Sequence, residues 1–123
     1  MPSDDPNESL MFTHFKHALS QREITEVLGR AFVEARGNDR SARIDSAQLV
    51  FQSGNVQLVF YPRVYTTWEM WRYALKTMGM FVIDRLMAFE WTFYVYFEGL
   101  DLIGHGVLKD TFERERAVDI RVR

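Results

Sequence analysis

Hydrophobic positions along the chain follow two spacings, one typical of helices and the other of strands. The first helical stretch opens at Ser20-Gln21-Arg22-Glu23, where a serine precedes a glutamate by three residues as in a capping box. It closes at Gly37-Asn38, because glycine tolerates the left-handed conformation that ends many helices. The pattern predicts a helix over about residues 21–36. Apolar residues recur through it at helical spacing: Ile24, Val27, Leu28, Ala31, Phe32 and Ala35.

The pattern before this helix is weaker. Met11, Phe15 and Ala18 fall on one helical face, which favours a short helix over residues 9–19. Residues 1–8 are acidic and polar and predict a flexible tail. We expect residues 9–123 to form a single domain, because a chain of 123 residues suits one compact unit.

Two pairs of strand-like runs predict two hairpins. The runs "AQLVFQ" and "NVQLVFY" flank Ser53-Gly54, and Pro62, which lacks a backbone donor, should end the second run. The runs "EWTFYVYFE" and "DLIGHGVL" alternate in the same way and predict the second hairpin. The final "AVDIRVR" also alternates and indicates a further C-terminal strand, with three residues on one face: Val118, Ile120 and Val122.

A long helix is predicted between the hairpins, from Thr66-Thr67-Trp68-Glu69, a second capping box, to about Phe89. On a helical wheel one broad apolar sector should face the core: Trp68, Met70, Trp71, Ala74, Leu75, Met78, Phe81, Val82 and Leu86. A second row lies on the opposite side among charged residues: Tyr73, Met80, Ile83 and Met87. Such a row is either covered within the domain by the N-terminal segment or forms an interface.

The order of these elements predicts an α+β fold. Hairpins interspersed with helices give two layers, an antiparallel sheet of four or five strands with two main helices on one face. The predicted order is α-β-β-α-β-β, with the C-terminal strand as the fifth.

Composition narrows the classes of function. The formal charge of −2 gives no field that would attract nucleic acid or an anionic membrane. The absence of cysteine excludes disulfides, thiol nucleophiles and thiolate metal sites, and it fits a reducing compartment. The N-terminus carries no apolar signal segment, so we expect an intracellular, cytoplasmic protein, with a secreted form as the alternative. Charged residues interrupt the most apolar stretch, 78–97, so no membrane span is expected.

Three features carry candidate chemistry, and each has a simpler interpretation that we favour. His14 and His17 share a spacing that zinc uses, but a third ligand is missing nearby. His105, in "IGHG", has the position of a general base that Asp101 would orient. Glycines in a strand more often mark a bulge or the close approach of another backbone or ring, and here a large aromatic side chain could pack over them. Tyr94 and Tyr96 lack the basic neighbours of a base-stacking sheet. No catalytic residue, metal, cofactor or nucleic acid is therefore assigned.

The second half resembles a group of small uncharacterised fungal proteins. The resemblance rests on a glycine before an apolar strand, a Thr-Trp-x-x-Trp helix start, an aromatic strand and an Ile-Gly-x-Gly-x-Leu run. Here these are Gly54, Thr67, Trp68, Trp71, Phe93, Val95, Ile103, Gly104, Gly106 and Leu108. It implies a shared fold and transfers no activity, cofactor or catalytic residue. Many members begin with a secretion signal, which this sequence lacks.

The sequence thus favours a non-enzymatic protein–protein interaction or assembly module that forms a homodimer or binds another protein. The expected interface comprises the helix row and the C-terminal strand: Tyr73, Met80, Ile83, Met87, Val118, Ile120 and Val122. The first alternative is a small-ligand-binding protein or enzyme with a pocket lined by Trp71, Trp91 and His105. The second alternative, a fungal effector-like protein, rests on the resemblance alone.

Overall fold

The computed structural model of the protein describes residues 8–85, 88–97 and 101–111. Its elements follow the order β-α-β-β-α-β-β: β1 Glu8–Thr13, α1 Gln21–Arg36, β2 Leu49–Ser53, β3 Val56–Pro62, α2 Trp68–Arg85, β4 Trp91–Phe97 and β5 Asp101–Asp110. The strands form one antiparallel sheet in the order β1-β4-β5-β3-β2. The predicted α+β fold, with two helices and two hairpins, is confirmed.

The strand that adds to the two hairpins in the sheet is β1, at the N-terminal end of the described residues. The prediction of a helix over residues 9–19 is wrong, because Glu8–Thr13 forms β1 and pairs with β4, with Leu10 opposite Val95. Leu10 is 2% exposed and Met11 is 45% exposed, so the segment alternates with the period of a strand. The run Leu10-Met11-Phe12 fits both the helical and the strand spacing of apolar residues. It forms a strand because the edge of β4 offers backbone hydrogen-bond partners to it. The predicted tail and the predicted C-terminal strand with Val118, Ile120 and Val122 lie outside the described residues.

Helix α1 begins where the capping pattern predicts, but its glutamate has a different partner. The Ser20 hydroxyl accepts a hydrogen bond from the Glu23 backbone N–H at 3.3 Å. The Glu23 carboxylate accepts from the backbone N–H of Asn55 at 2.9 Å, in the β2–β3 turn, and so joins the helix to the first hairpin. The helix ends at Arg36, yet Gly37 has a φ of −75°, so the left-handed conformation expected there is not adopted.

Helix α2 differs from its prediction at both ends. Thr67 caps it, accepting from the Met70 N–H at 3.3 Å, whereas Thr66 is buried and bonds to β5. The helix comprises Trp68–Arg85, and the expected end near Phe89 is wrong because Phe89 bridges Ala18. Residues 88–90 therefore run as an extended segment against residues 16–19, with backbone hydrogen bonds between them.

The core lies between the helices and one face of the sheet. The predicted apolar sector of α2 is confirmed for its described members. Six are buried in the core: Trp68, Trp71, Ala74, Leu75, Met78 and Val82. Met70 and Phe81 are half-buried and pack against it, and Leu86 lies outside the described residues. The Trp71 ring stacks on Phe60 of β3 with centroids 4.0 Å apart and planes 6° apart. Within the described ranges, no helix is both long enough and apolar enough to cross a membrane.

Candidate functional site

The surroundings of two glycines in β5 show which way the side chains of this strand point. A Cβ on Gly104 would meet the Phe60 ring, and a Cβ on Gly106 would meet the Phe93 ring and the Val59 carbonyl. Both glycines therefore face the core, and aromatic rings pack directly over them, as the simpler interpretation of "IGHG" predicts. His105, between them, points to the face of the sheet that neither described helix covers, and it is exposed.

A β-bulge changes the alternation at the start of β5. Val95 pairs with Gly104 while Tyr96 pairs with Leu102, so Ile103 is the extra residue. Ile103 is 6% exposed and belongs to the core, although uninterrupted alternation along "DLIGHGVL" would place it on the same face as His105. Its carbonyl accepts from the Arg63 backbone N–H at 2.9 Å and from the Thr66 hydroxyl, which fixes the β3–α2 connection to the bulge.

The side of the sheet that neither α1 nor α2 covers, which we call the open face, carries a row of aromatic side chains on three strands, and a methionine extends it to a fourth. Met11, Tyr94, His105 and Tyr61 occupy successive paired positions on β1, β4, β5 and β3. The His105 ring stacks between Tyr61, at a centroid distance of 5.1 Å, and Tyr94, at 6.3 Å. Offset stacking of this kind holds the rings in place along the row.

A second row of the open face is β-branched. Val107 lies opposite Val59 and Thr92, and the row continues to Val50 on β2 and Thr13 on β1. Val59 is only 4% exposed and lies outside the main core cluster. Among the outward positions of the strands, Lys109 is the one with a formal charge, the others being Ser9, Met11, Thr13, Val50, Gln52, Gln57, Val59, Tyr61, Thr92, Tyr94, Tyr96, Leu102, His105 and Val107.

The residues of the predicted pocket are not brought together. Trp71 and Trp91 are buried in the core at 0% and 1% exposure, whereas His105 lies on the opposite face of the sheet. The sheet therefore separates the tryptophans from the histidine. The Trp71 indole N–H is buried and has no hydrogen-bond partner among the described residues.

The two N-terminal histidines lie at the surface near the start of β4. The backbone N–H of His17 donates to the Glu90 carboxylate at 3.4 Å, and the same carboxylate accepts from the Asp110 backbone N–H at 2.8 Å. Glu90 thereby links three segments of the chain. Across residues 8–85, 88–97 and 101–111, no three His, Cys, Asp or Glu side chains are grouped so as to hold a metal ion.

The predicted helix row is partly exposed. Met80 and Ile83 are 50% and 57% exposed, and Tyr73 is half-buried, while Met87 lies outside the described residues. The segment expected to cover the row lies elsewhere, because Phe12 of β1 stacks on Phe81 instead, with centroids 4.1 Å apart. Ile83 borders an apolar groove between α1 and α2 that includes Gly29 and Gly79.

One carboxyl on the helix side has a shifted pKa. The Ser53 hydroxyl donates to Glu26 at 2.6 Å, and the Arg22 guanidinium donates at 3.3 Å. These bonds, that of Ser53 foremost, lower the pKa of Glu26 below its usual value of 4.5. The contact joins α1 to β2 and lies away from the open face.

Comparison with known proteins adds no family to this description. The chain matches no protein-family model, no curated protein and no solved structure. The open face is thus defined by its geometry alone. Its sequence signals were Tyr94 and Tyr96 on one strand and Val59 and Tyr61 on another, but their association depends on strand order.

Proposed function

We propose that this protein is a non-enzymatic interaction module that forms a homodimer by packing the open faces of two sheets together. The observation that carries the proposal is the sheet face itself, which no helix of the described residues covers and which is rich in aromatic and β-branched side chains. Where one face of a sheet is solvated, its strands ordinarily present polar and charged side chains on that face. The absence of cysteine fits such an assembly in a reducing, intracellular compartment.

A second copy of the chain suits this face on electrostatic grounds. A two-fold axis sets the same patch against itself, so any charge near the axis would meet its own copy. Here the middle strand, β5, presents His105 and Val107 near the centre, and the formally charged Lys109 lies one outward position further along. A nearly neutral, apolar centre therefore pairs with itself without charge repulsion.

The size of the face indicates a reversible dimer. Five strands about 4.8 Å apart, with outward positions over about five residues each, give a face of roughly 24 by 17 Å, about 400 Å² in projection. A standard interface buries about 800 Å² of accessible surface per partner. The projected area of the open face is about half of that value, below the standard range, so we expect a weak, reversible dimer with a dissociation constant of about micromolar order.

Sedimentation velocity with two lysine variants tests the proposal. Val107→Lys places an unpaired charge at the centre of the open face, and Ile83→Lys places the same charge on the exposed helix row. Because burying an unpaired charge costs several kcal/mol, about 100-fold or more in affinity, Val107→Lys should be monomeric. Wild type and Ile83→Lys should be dimeric at about 50 μM, well above the expected constant.

Three results would contradict the proposal. A monomeric wild type at this concentration would remove the dimer. A monomeric Ile83→Lys beside a dimeric Val107→Lys would move the interface to the helix row. If both variants were dimeric, the dimer interface would lie on neither the open face nor the helix row. Circular dichroism of each variant serves as the control for folding.

A further inference from the structure

The cavity at the β3–α2 end of the sheet lies apart from the open face. Its volume is about 790 Å³, within the range of small-molecule pockets of about 300–1,000 Å³. Apolar side chains from three elements form much of its wall, among them Met70 of α2, Phe97 of β4 and Leu102 of β5. It is therefore large enough and apolar enough to hold the body of a small organic molecule.

A turn with an unpaired cation borders this cavity. The Arg63 guanidinium is exposed and makes no hydrogen bond or ion pair with any described residue. The next two residues, Val64 and Tyr65, are 72% and 73% exposed, which is high for large hydrophobic side chains. The Arg43 guanidinium lies 5.7 Å from the centroid of the Tyr65 ring, which places a second cation near the rim.

The backbone of this turn is firmly held. The Arg63 N–H donates to the Ile103 carbonyl at 2.9 Å, and the Thr66 N–H donates to the Arg63 carbonyl at 3.0 Å. The buried Thr66 hydroxyl bonds to Arg63 and Ile103 as well. Residues 63–66 are thus fixed on the β-bulge, and bulges are over-represented beside functional sites. The exposed side chains of the turn have a defined position at the mouth of the cavity.

We propose that this cavity binds a small organic anion with an apolar body and one carboxylate head group. The apolar walls receive the body, and the Arg63 guanidinium, which matches carboxylate geometry with parallel N–H donors, binds the head group. The site differs from the pocket expected near His105, since it uses no residue of that set. The cation of the site is independent of the dimer, because Arg63 is not among the outward positions of the open face. Of the described residues in the cavity wall, Leu102 alone lies at such a position.

Titration with octanoate and 1-octanol, followed by backbone amide NMR shifts, tests this site. The two probes share an apolar chain of the same length and differ in the charged head group. We expect saturable octanoate binding, with shifts concentrated around residues 62–65 and 102–103, and weaker binding of octanol. Arg63→Gln should weaken octanoate binding about tenfold, the loss typical of one charge-assisted contact, and leave octanol unchanged.

Arg36→Gln is the matched control, because it removes the same charge from the exposed last turn of α1. It should change octanoate affinity by less than about twofold, as a distant surface charge is screened. Val64→Asp, a change at an exposed position, should repel octanoate without disturbing the fold. Equal effects of Arg63→Gln and Arg36→Gln, equal binding of both probes, or no saturation by about 10 mM octanoate would each overturn the proposal.

Discussion

Gly106→Ala should destabilise the protein, whereas Gly79→Ala, which adds the same methyl group, should stabilise it. In Gly106→Ala the new Cβ would meet the Val59 carbonyl and the Phe93 ring, and in Gly79→Ala it would have no atom within 4 Å. The chemical change is the same, so only the surroundings differ. The pair therefore tests whether aromatic rings pack directly on the β5 backbone.

The expected magnitudes follow from these surroundings. Overpacking a core costs about 1–3 kcal/mol, and Gly106→Ala should reach about 3 because Val59 cannot retreat without disturbing its pairing with Val107. Gly79→Ala should stabilise by about 0.5–1 kcal/mol, since glycine weakens a helix interior by that amount. At about 4 °C per kcal/mol for a chain of this size, we expect Tm to fall by about 12 °C in the first variant and rise by about 2–4 °C in the second.

Urea unfolding followed by tryptophan fluorescence measures both variants, at one fixed protein concentration because self-association would add to apparent stability. Gly29→Ala provides a second open site, since its Cβ also has no atom within 4 Å. A Gly106→Ala protein as stable as wild type would refute the packing of Phe93 on β5. A destabilised Gly79→Ala protein would show that the groove between the helices is filled.

Two further predictions concern polar contacts. Thr66→Val removes the hydroxyl that joins Arg63 to Ile103 and should lower the free energy of unfolding by about 1–3 kcal/mol, while Thr66→Ser should lose less; urea unfolding measures both. The lowered pKa of Glu26 means that its contribution to stability is complete above the unfolded value of 4.5 and is lost as pH falls through the folded value. Unfolding curves between about pH 6 and pH 3 should therefore show a smaller loss of stability for Glu26→Gln than for wild type, and Glu34→Gln, a change of the same charge on α1, should retain the wild-type slope.

Sequence patterns predicted the helices and strands best where the apolar residues fitted only one spacing, helical or strand-like. The inward residues of α2 and the alternation of β4 each fit one period, so both predictions hold. The segment at Leu10-Met11-Phe12 fits two periods, and the available edge of β4 decides in favour of a strand. The glycines of "IGHG" indicated either a bulge or the close approach of a ring, and both occur. The bulge could not be placed at Ile103 from the sequence, because the residues around it alternate as an uninterrupted strand would.

The candidate site was harder to foresee than the fold because it depends on strand order. Tyr61 and His105 are distant in the sequence and stack only because β3 pairs with β5 in one register. Helical spacing, a local property, was enough to predict the exposure of Met80 and Ile83. Strand neighbours are set by the packing of the whole chain, so the row on the open face could not be read from either strand alone.

The middle strand explains why the two faces of the sheet differ. On the inner side, Gly104 and Gly106 let the Phe60 and Phe93 rings lie against the backbone of β5, so the core fills the space under the helices with aromatic rings. On the outer side, the same strand places His105 and Val107 at its centre, where neither α1 nor α2 covers them. At these positions β5 has small residues facing the core and large residues on the open face, which is the reverse of a strand with one solvated side. This arrangement is what a strand with a packed layer on each side requires, and it is the physical ground for expecting a second protein layer on the open face.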